Sequence, residues 1–449
     1  MHICPLERRY GTEEMRRILG NMYGYYVKVE IALLQGLSKA DIIPVEVDIK
    51  DLEEKTKGID LSKVSELERI SGHEVDALVQ LLSEALGEYG AYVHLGATSN
   101  DIIDTAWALM LRDALSIIKD KLSRIIRTLI DMSLRYKNTL MIGRTHGQHA
   151  LPITLGFKLA NYVYEFSRSL ERIMDVEKRV IRGKISGAVG TMAAWRDKGL
   201  LVEKYTLSCL GLEPHIITTQ VAPRDGFAEL VSVLAILASQ LDRFAIEVRE
   251  LMRPEIHELL EGAQSLVGSS TMPHKRNPIT SERISGLAKV MRSLTTAALE
   301  NIPLWHERDL TNSSSERIII PHALLIVDEM LECMIKLLDN LIVDEESMRR
   351  NLKLLNGIIL CEAIMVKLVE KGVPRLKAHR YLINFVRESY ITSKSFKELL
   401  LSDEFITKYL TREEIENLLK PENYLGVYDK LIDRAIQYAE NVLGKLSKC

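Results

Sequence analysis

Cysteine is scarce and never paired. Cys4, Cys209, Cys333, Cys361 and Cys449 are scattered over 449 residues, odd in number and free of any C-x-x-C spacing. That pattern excludes a disulfide framework and a zinc cage and points to a reducing compartment. Glycine (25) and proline (12) fall below average usage, which disfavours turn-rich β architecture. No run of 18 apolar residues occurs, so no segment reads as a membrane-spanning helix. The opening residues, MHICPLERRY, set Pro5, Glu7, Arg8 and Arg9 where a signal peptide needs an apolar core. An excess of one charge is missing as well: 59 basic against 62 acidic residues leave −3. Such a balance argues against broad coating of nucleic acid or of an anionic membrane. A cytoplasmic protein is expected.

What the chain has is apolar periodicity. Hydrophobic residues make up 47% and charged residues 27%, enough apolar surface to rule out disorder as the main state. At about 150 residues per domain the length suggests three domains. Leu111, Leu115, Ile118, Leu122, Ile125, Leu129 and Met132 follow alternating steps of four and three. So do stretches beginning at Leu159, Phe227, Ile284 and Leu324, the last reaching Leu341. Such stripes predict long helices packed near-parallel, at about 20°. The expected fold is all-α, with a long central five-helix bundle over 106–345, a helical domain over 1–105 and another over 346–449. Ile117–Ile118, Ile125–Ile126 and Ile318 to Ile320 add apolar faces beside the seams and predict self-association. Residues 218–221 are the best extended candidate.

Polar, turn-forming patches punctuate the long helices, where sites are commonly built. They are Gly72-His73-Glu74, His94 to Asp101, Gly143 to His149, 268–278, and Trp305 to Asp309 followed by Ser313, Ser314 and Arg317. Each also has a plain structural reading. Thr98-Ser99-Asn100-Asp101 resembles a helix N-cap cluster, with Asp104 fitting its third position. His146 and His149 have a metal-ligand spacing, but no H-E-x-x-H or third ligand accompanies them. The 268–278 loop lacks the P-loop pattern. Its density of reactive groups still stands out: two serines after a glycine, then Lys275, Arg276 and Asn277. Lysine beside arginine suits a carboxylate or phosphate ligand. A serine becomes a usable base only where N–H groups or a cation stabilise its alkoxide.

GSSTMPHKRNP resembles the signature loop of the fumarase/aspartase superfamily. GRTHGQHALPIT and VHLGATSNDIIDTA are similar to its two other motif regions. With Arg9-Tyr10, SGHEV, GKISGAVGT, TTQVAPRD, LWHERDLTNSSSERI and PENYLG, the chain resembles the adenylosuccinate lyase family along essentially its whole length. That resemblance implies an all-helical, three-domain subunit in a homotetramer with a 20-helix core. Each active site would draw on three subunits. It implies release of fumarate from adenylosuccinate and from the succinylated aminoimidazole carboxamide ribotide, without metal or organic cofactor. By resemblance, Ser269 is the base, and Lys275 with Asn277 stabilises the carbanion. His146 is the general acid, and Glu282 orients and charges it. Thr98, Ser99, Thr145 and Gln220 hold the succinyl carboxylates. Arg9, Tyr10, His73, Arg308, Ser313 and Arg317 surround the nucleotide and its phosphate, with proton transfer a second possible role for His73. Two departures are modest: Glu74 stands where many relatives have aspartate, and Asn312 where histidine is common.

The nearest alternative is a carboxymuconate cycloisomerase, whose family generally lacks the histidine of the second motif. Argininosuccinate lyase and fumarase usually carry other residues after Met-Pro in the loop. From another class, a non-catalytic helical scaffold accounts for the heptads but leaves the serine, lysine and histidine set without a purpose.

Overall fold

The computed structural model describes residues 4–262, 272, 274–392 and 394–446. Five long helices dominate: α1 (Ser99–Arg135), α2 (Leu155–Val180), α3 (Asp225–Leu251), α4 (Ile279–Glu300) and α5 (Thr311–Asp339). Each carries one of the heptad stripes, and the stripe is what it buries. Leu111, Leu115, Ile118, Leu122, Ile125 and Leu129 in α1 are all fully buried, as are Leu234, Leu237, Leu241 and Val248 in α3. The all-α expectation therefore holds. One stripe overshoots: α5 ends at Asp339, and Leu341 opens a strand.

The chain divides into two compact units, each built from three separated stretches. Met1–Leu122, Ser169–Leu241 and Gly286–Glu332 form the first; Ser123–Arg168, Asp242–Ser285 and Cys333–Cys449 form the second. In the first unit, Lys121 Nζ bonds Asp328 Oδ1 at 2.5 Å, joining α1 to α5, and Ser169 Oγ donates to Gln240 Oε1 at 2.5 Å, joining α2 to α3. In the second, the Tyr162 and Phe244 rings meet edge to face at 4.9 Å between α2 and α3. Arg124 pairs with Asp339 at 2.7 Å between α1 and α5. After α5 the second unit continues in short helices around Leu368, Leu382, Phe396, Leu400, Ile406 and Ile415.

Strands are few, and they pair as β1 (Leu140–Thr145) with β2 (Gln148–Thr154), β3 (Arg182–Gly183) with β4 (Glu213–Pro214), and β5 (Leu259–Glu261) with β6 (Leu341–Val343). Residues 218–221 are not a strand. Their polar groups are engaged one by one instead: the Gln220 N–H donates to Glu307 O at 3.3 Å, and Thr219 Oγ1 donates to Val221 O at 3.3 Å. The extra apolar faces divide into two groups. Ile117, Ile125 and Ile126 are buried within the chain itself, whereas Ile318 is exposed.

The start of α1 is fixed by buried charge. Asp101 accepts the Thr98 N–H at 2.8 Å, closing the first helical turn. It also pairs with Lys184 Nζ at 2.6 Å and accepts the Ser186 N–H at 2.7 Å. Both side chains of that pair are fully buried. The acid of this cap is thus Asp101, not Asp104. Asp104 is engaged elsewhere, accepting the Ala222 N–H at 2.8 Å and Arg224 Nη2 at 2.7 Å. Removing one partner of a buried pair strands the other charge, at a cost of about 3–5 kcal/mol. Lys184→Met is therefore expected to lower the unfolding free energy by about that much in urea titration. An unchanged midpoint and slope would refute the anchoring role.

Candidate active site

In the first unit, polar groups converge around the starts of three helices. His73 caps the helix Glu74–Ala85: its Nδ1 accepts the Asp76 N–H at 3.3 Å. An accepting Nδ1 leaves the neutral ring's proton on Nε2, which lies 3.2 Å from Ser99 Oγ. The plain capping reading and the functional one thus coexist, and His73 and Ser99 are brought together. Thr98 precedes Ser99 at the N-cap of α1, its backbone held by Asp101.

Arg308 Nη1 donates to Gln220 Oε1 at 3.0 Å, and Gln220 Nε2 donates to Ala188 O at 2.7 Å. Arg308 makes no ion pair among the described residues, and its buried Nε has no partner. Burial, with the Arg224 guanidinium nearby, pushes its pKa below the usual arginine value. Arg308 is therefore a cation not yet matched by a carboxylate. Arg317 differs: Glu74 grips it with both oxygens, one at 2.8 Å from Nη1 and the other against Nη2. A ligand reaching Arg317 must share it with Glu74. Ser313 lies one turn before Arg317, and both border a cleft with Asn100, Arg224, Arg308 and Glu316.

Sequence reasoning missed Arg224, Asp104 and Glu316 as a set. Arg224 is buried between the two acids; its Nε is 3.2 Å from Glu316 Oε1, an ion pair too skewed for a hydrogen bond. Arg224 Nη1, Asn100 Oδ1 and Asn312 Oδ1 are buried without partners. Unsatisfied buried groups around one cleft are costly and call for a ligand or a water. The Arg in TTQVAPRD was the available signal. Arg9 and Tyr10 stand near the chain start, Arg9 exposed and its guanidinium 5.8 Å from the Tyr10 ring.

In the second unit, β1 and β2 form a hairpin that sequence reasoning did not foresee. His146 (φ 54°) and Gly147 (φ 73°) occupy its tip. Two consecutive positive φ values match the turn that a two-residue hairpin favours. The turn leaves Thr145 and His146 exposed. His-Gly between two apolar-rich runs was the missed signal. Behind them Arg144 is gripped by Glu258, at 2.8 Å and 2.7 Å. Burial and the Arg144 charge lower the pKa of half-buried His149 below its ordinary value. Lys275 is exposed, Asn277 is half-buried, and Glu282 is exposed in the first turn of α4. Ser269 lies outside the described residues.

Glu316 is pushed up to about 7 by burial, which the Arg224 charge offsets only in part. Between its ordinary 4.5 and about 7, the folded protein keeps a proton that the unfolded chain has released. Stability therefore falls as pH rises through that window, by on the order of 3 kcal/mol for this group. Glu316→Gln should remove that share, so that unfolding free energy measured from pH 4.5 to 7.5 falls less steeply than in the parent. Equal slopes would refute the assignment.

Comparison with known proteins identifies the family. A profile described as "Lyase" matches residues 10–292, and one described as "Adenylosuccinate lyase C-terminus" matches residues 357–435. Adenylosuccinate lyase of Pyrococcus abyssi is 43% identical over 447 residues, covering 98% of this chain and 99% of that one. The enzyme of the same name from Pyrococcus horikoshii is 44% identical over 447 residues, with the same coverage. The crystal structure of a fumarate lyase from Mesorhizobium superposes with a TM-score of 0.88 at 28% identity, covering 96% of this chain and 99% of that one. The chain belongs to the adenylosuccinate lyase family, within the broader lyase family.

Proposed function

We propose that the protein is a C–N lyase that releases fumarate from adenylosuccinate, giving AMP, and from the succinylated aminoimidazole carboxamide ribotide, giving the carboxamide ribotide. The observation that carries this reading is Arg308: a partly buried guanidinium, unpaired with any carboxylate among the described residues, bordering a cleft with Ser313 and Arg317. That is the chemistry a phosphate or carboxylate ligand requires. Family membership supports the choice of substrate.

The reaction needs three things from the side chains. A base must take the proton next to a carboxylate, the resulting charge must be held, and the departing nitrogen must be protonated. Ser269 takes the proton. The electron pair of that C–H bond first spreads into the carboxylate; it then becomes the new C=C bond as the C–N bond breaks and its own pair leaves with nitrogen. Lys275 and Asn277 hold the negative charge while it is spread into the carboxylate. His146 returns a proton to the leaving nitrogen, a task suited to imidazole near neutral pH. The hairpin tip suits this role, because it exposes the ring while Arg144 and Glu258 fix the strand behind it. Glu282 orients the imidazole. Thr98, Ser99, Thr145 and Gln220 hold the succinyl carboxylates; His73, Arg9, Tyr10, Arg308, Ser313 and Arg317 hold the nucleotide portion.

The working unit is a homotetramer whose sites are shared between subunits. Ile236 on α3, Val290 and Leu299 on α4 and Ile318 on α5 are 43 to 57% exposed, which favours burial against further helices. In solution the mass should be four times 51.0 kDa.

Adenylosuccinate should lose its ultraviolet absorbance as AMP forms. Turnover of carboxymuconate in its place would instead identify a cycloisomerase. Ser269→Ala and His146→Ala should each reduce kcat by at least about 100-fold, the lower range of general acid–base catalysis. Mixing the two inactive variants under conditions of subunit exchange should restore part of the activity. Absence of rescue, with exchange demonstrated, would refute shared sites.

A further inference from the structure

Two acids in one short stretch of the second unit, Glu258 and Glu261, each hold a segment that carries a proposed catalytic group: the hairpin with His146 and the start of α4 with Glu282. At one end Glu258 is fully buried. Its two oxygens grip Arg144 at 2.7 Å and 2.8 Å, and Asn351 Nδ2 donates to Oε1 at 2.8 Å. Arg144 stands two residues before His146, so this grip sets where the hairpin tip begins. Burial of such a carboxylate is tolerable because each oxygen has a charged or amide donor.

At the other end Glu261, also buried, reaches the start of α4. Its Oε2 accepts the Thr280 N–H at 3.1 Å; its Oε1 accepts the Ser281 N–H at 2.8 Å and the Ser281 hydroxyl at 2.6 Å. Thr280 and Ser281 are the second and third residues of α4, and Glu282 is the fourth. A carboxylate from a distant segment thus caps the helix where its N–H groups lack internal partners and its dipole favours negative charge.

The segment between these two acids has little freedom. Leu259, Leu260 and Glu261 pair with Val343, Ile342 and Leu341. The Asp344 N–H donates to Glu258 O at 3.1 Å. Gly262 follows immediately, and a Cβ there would sit 2.3 Å from Asn340 O, so no side chain fits without backbone movement. β5 is pinned to β6 from Glu258 through Gly262.

We infer that Glu258 and Glu261 are positioning residues for the elimination: Glu258 holds the hairpin that carries His146, and Glu261 holds the helix start that carries Glu282. The inference rests on the roles given to His146 and Glu282 under the proposed function. It assigns to the two acids a part in the reaction that neither plays by touching substrate.

The test is a pair of double-mutant cycles on the full-length protein, with adenylosuccinate as substrate. Glu261→Gln keeps the size but turns an amide toward the helix N–H groups. It should lower kcat by roughly 10- to 100-fold, the scale of a misplacement near 1 Å, and change KM much less. In a Glu282→Gln background the same substitution should cost less than about twofold, because groups acting as one unit are not additive. Glu258→Gln should behave alike against His146→Ala. If Glu261→Gln fails to fold, Ser281→Ala removes only the hydroxyl donor and should show a smaller kcat loss that also vanishes beside Glu282→Gln. Losses that multiply independently, or fall on KM alone, would overturn the inference. If His146→Ala and Glu282→Gln themselves leave kcat intact, the proposed roles fail first, and the two failures are thereby distinguished.

Discussion

Charge buried in the first two turns of α1 is the constraint on which the first unit is organised. Asp101 and Asp104 stand three residues apart, about one turn of helix, and both are buried. Asp101 holds the loop through Lys184, Ser186 and Gly187, and Asp104 holds the segment through Ala222 and Arg224. Arg224 passes the connection on to Glu316 in α5. Apolar contacts could join these pieces, but with weak directional preference. A carboxylate accepts along fixed lone-pair directions, so the loops that carry Gln220 and its neighbours are set in angle as well as in place. The helix N-terminus lowers the cost, since its dipole favours an acid in the first turn.

The second unit solves a similar problem by a different route. Its paired acids lie on and beside a short strand, not on a helix, and its anchored pieces are a hairpin and a helix start. Both units place buried carboxylates at the bases of polar segments and leave the tips of those segments open. Rigid support beneath and exposed groups above is the arrangement that keeps catalytic geometry within narrow tolerance.

Much of this was legible in the chain. The heptad stripes located all five long helices, because seam residues such as Ile118 and Leu122 have no other reason to recur at steps of three and four. The polar patches and the TTQVAPRD motif pointed to His73, Ser99, Gln220, Arg308 and Arg317, all of which lie in the first unit. The β1–β2 hairpin was not legible, since its two runs are short and its turn is His-Gly where Asn-Gly or Asp-Gly is the stronger signal. Asp104 was assigned to a cap because it stands three residues after Asp101, the last of the capping cluster; its partner Arg224 is 120 residues away, and local spacing carries no trace of so distant a contact. Glu258 and Glu261 were passed over for the same reason. Their partners Arg144, Ser281 and Asn351 come from three other elements.

The left-handed backbone at His146 has an evolutionary consequence. Residues that tolerate positive φ are glycine, asparagine and aspartate, with histidine close behind. Asparagine and aspartate are each a single base change from histidine in the genetic code. The hairpin can therefore survive loss of its imidazole with little strain, and drift at this codon would silence the proposed acid while leaving the scaffold intact. Selection on turnover, not on folding, is what must keep a histidine there.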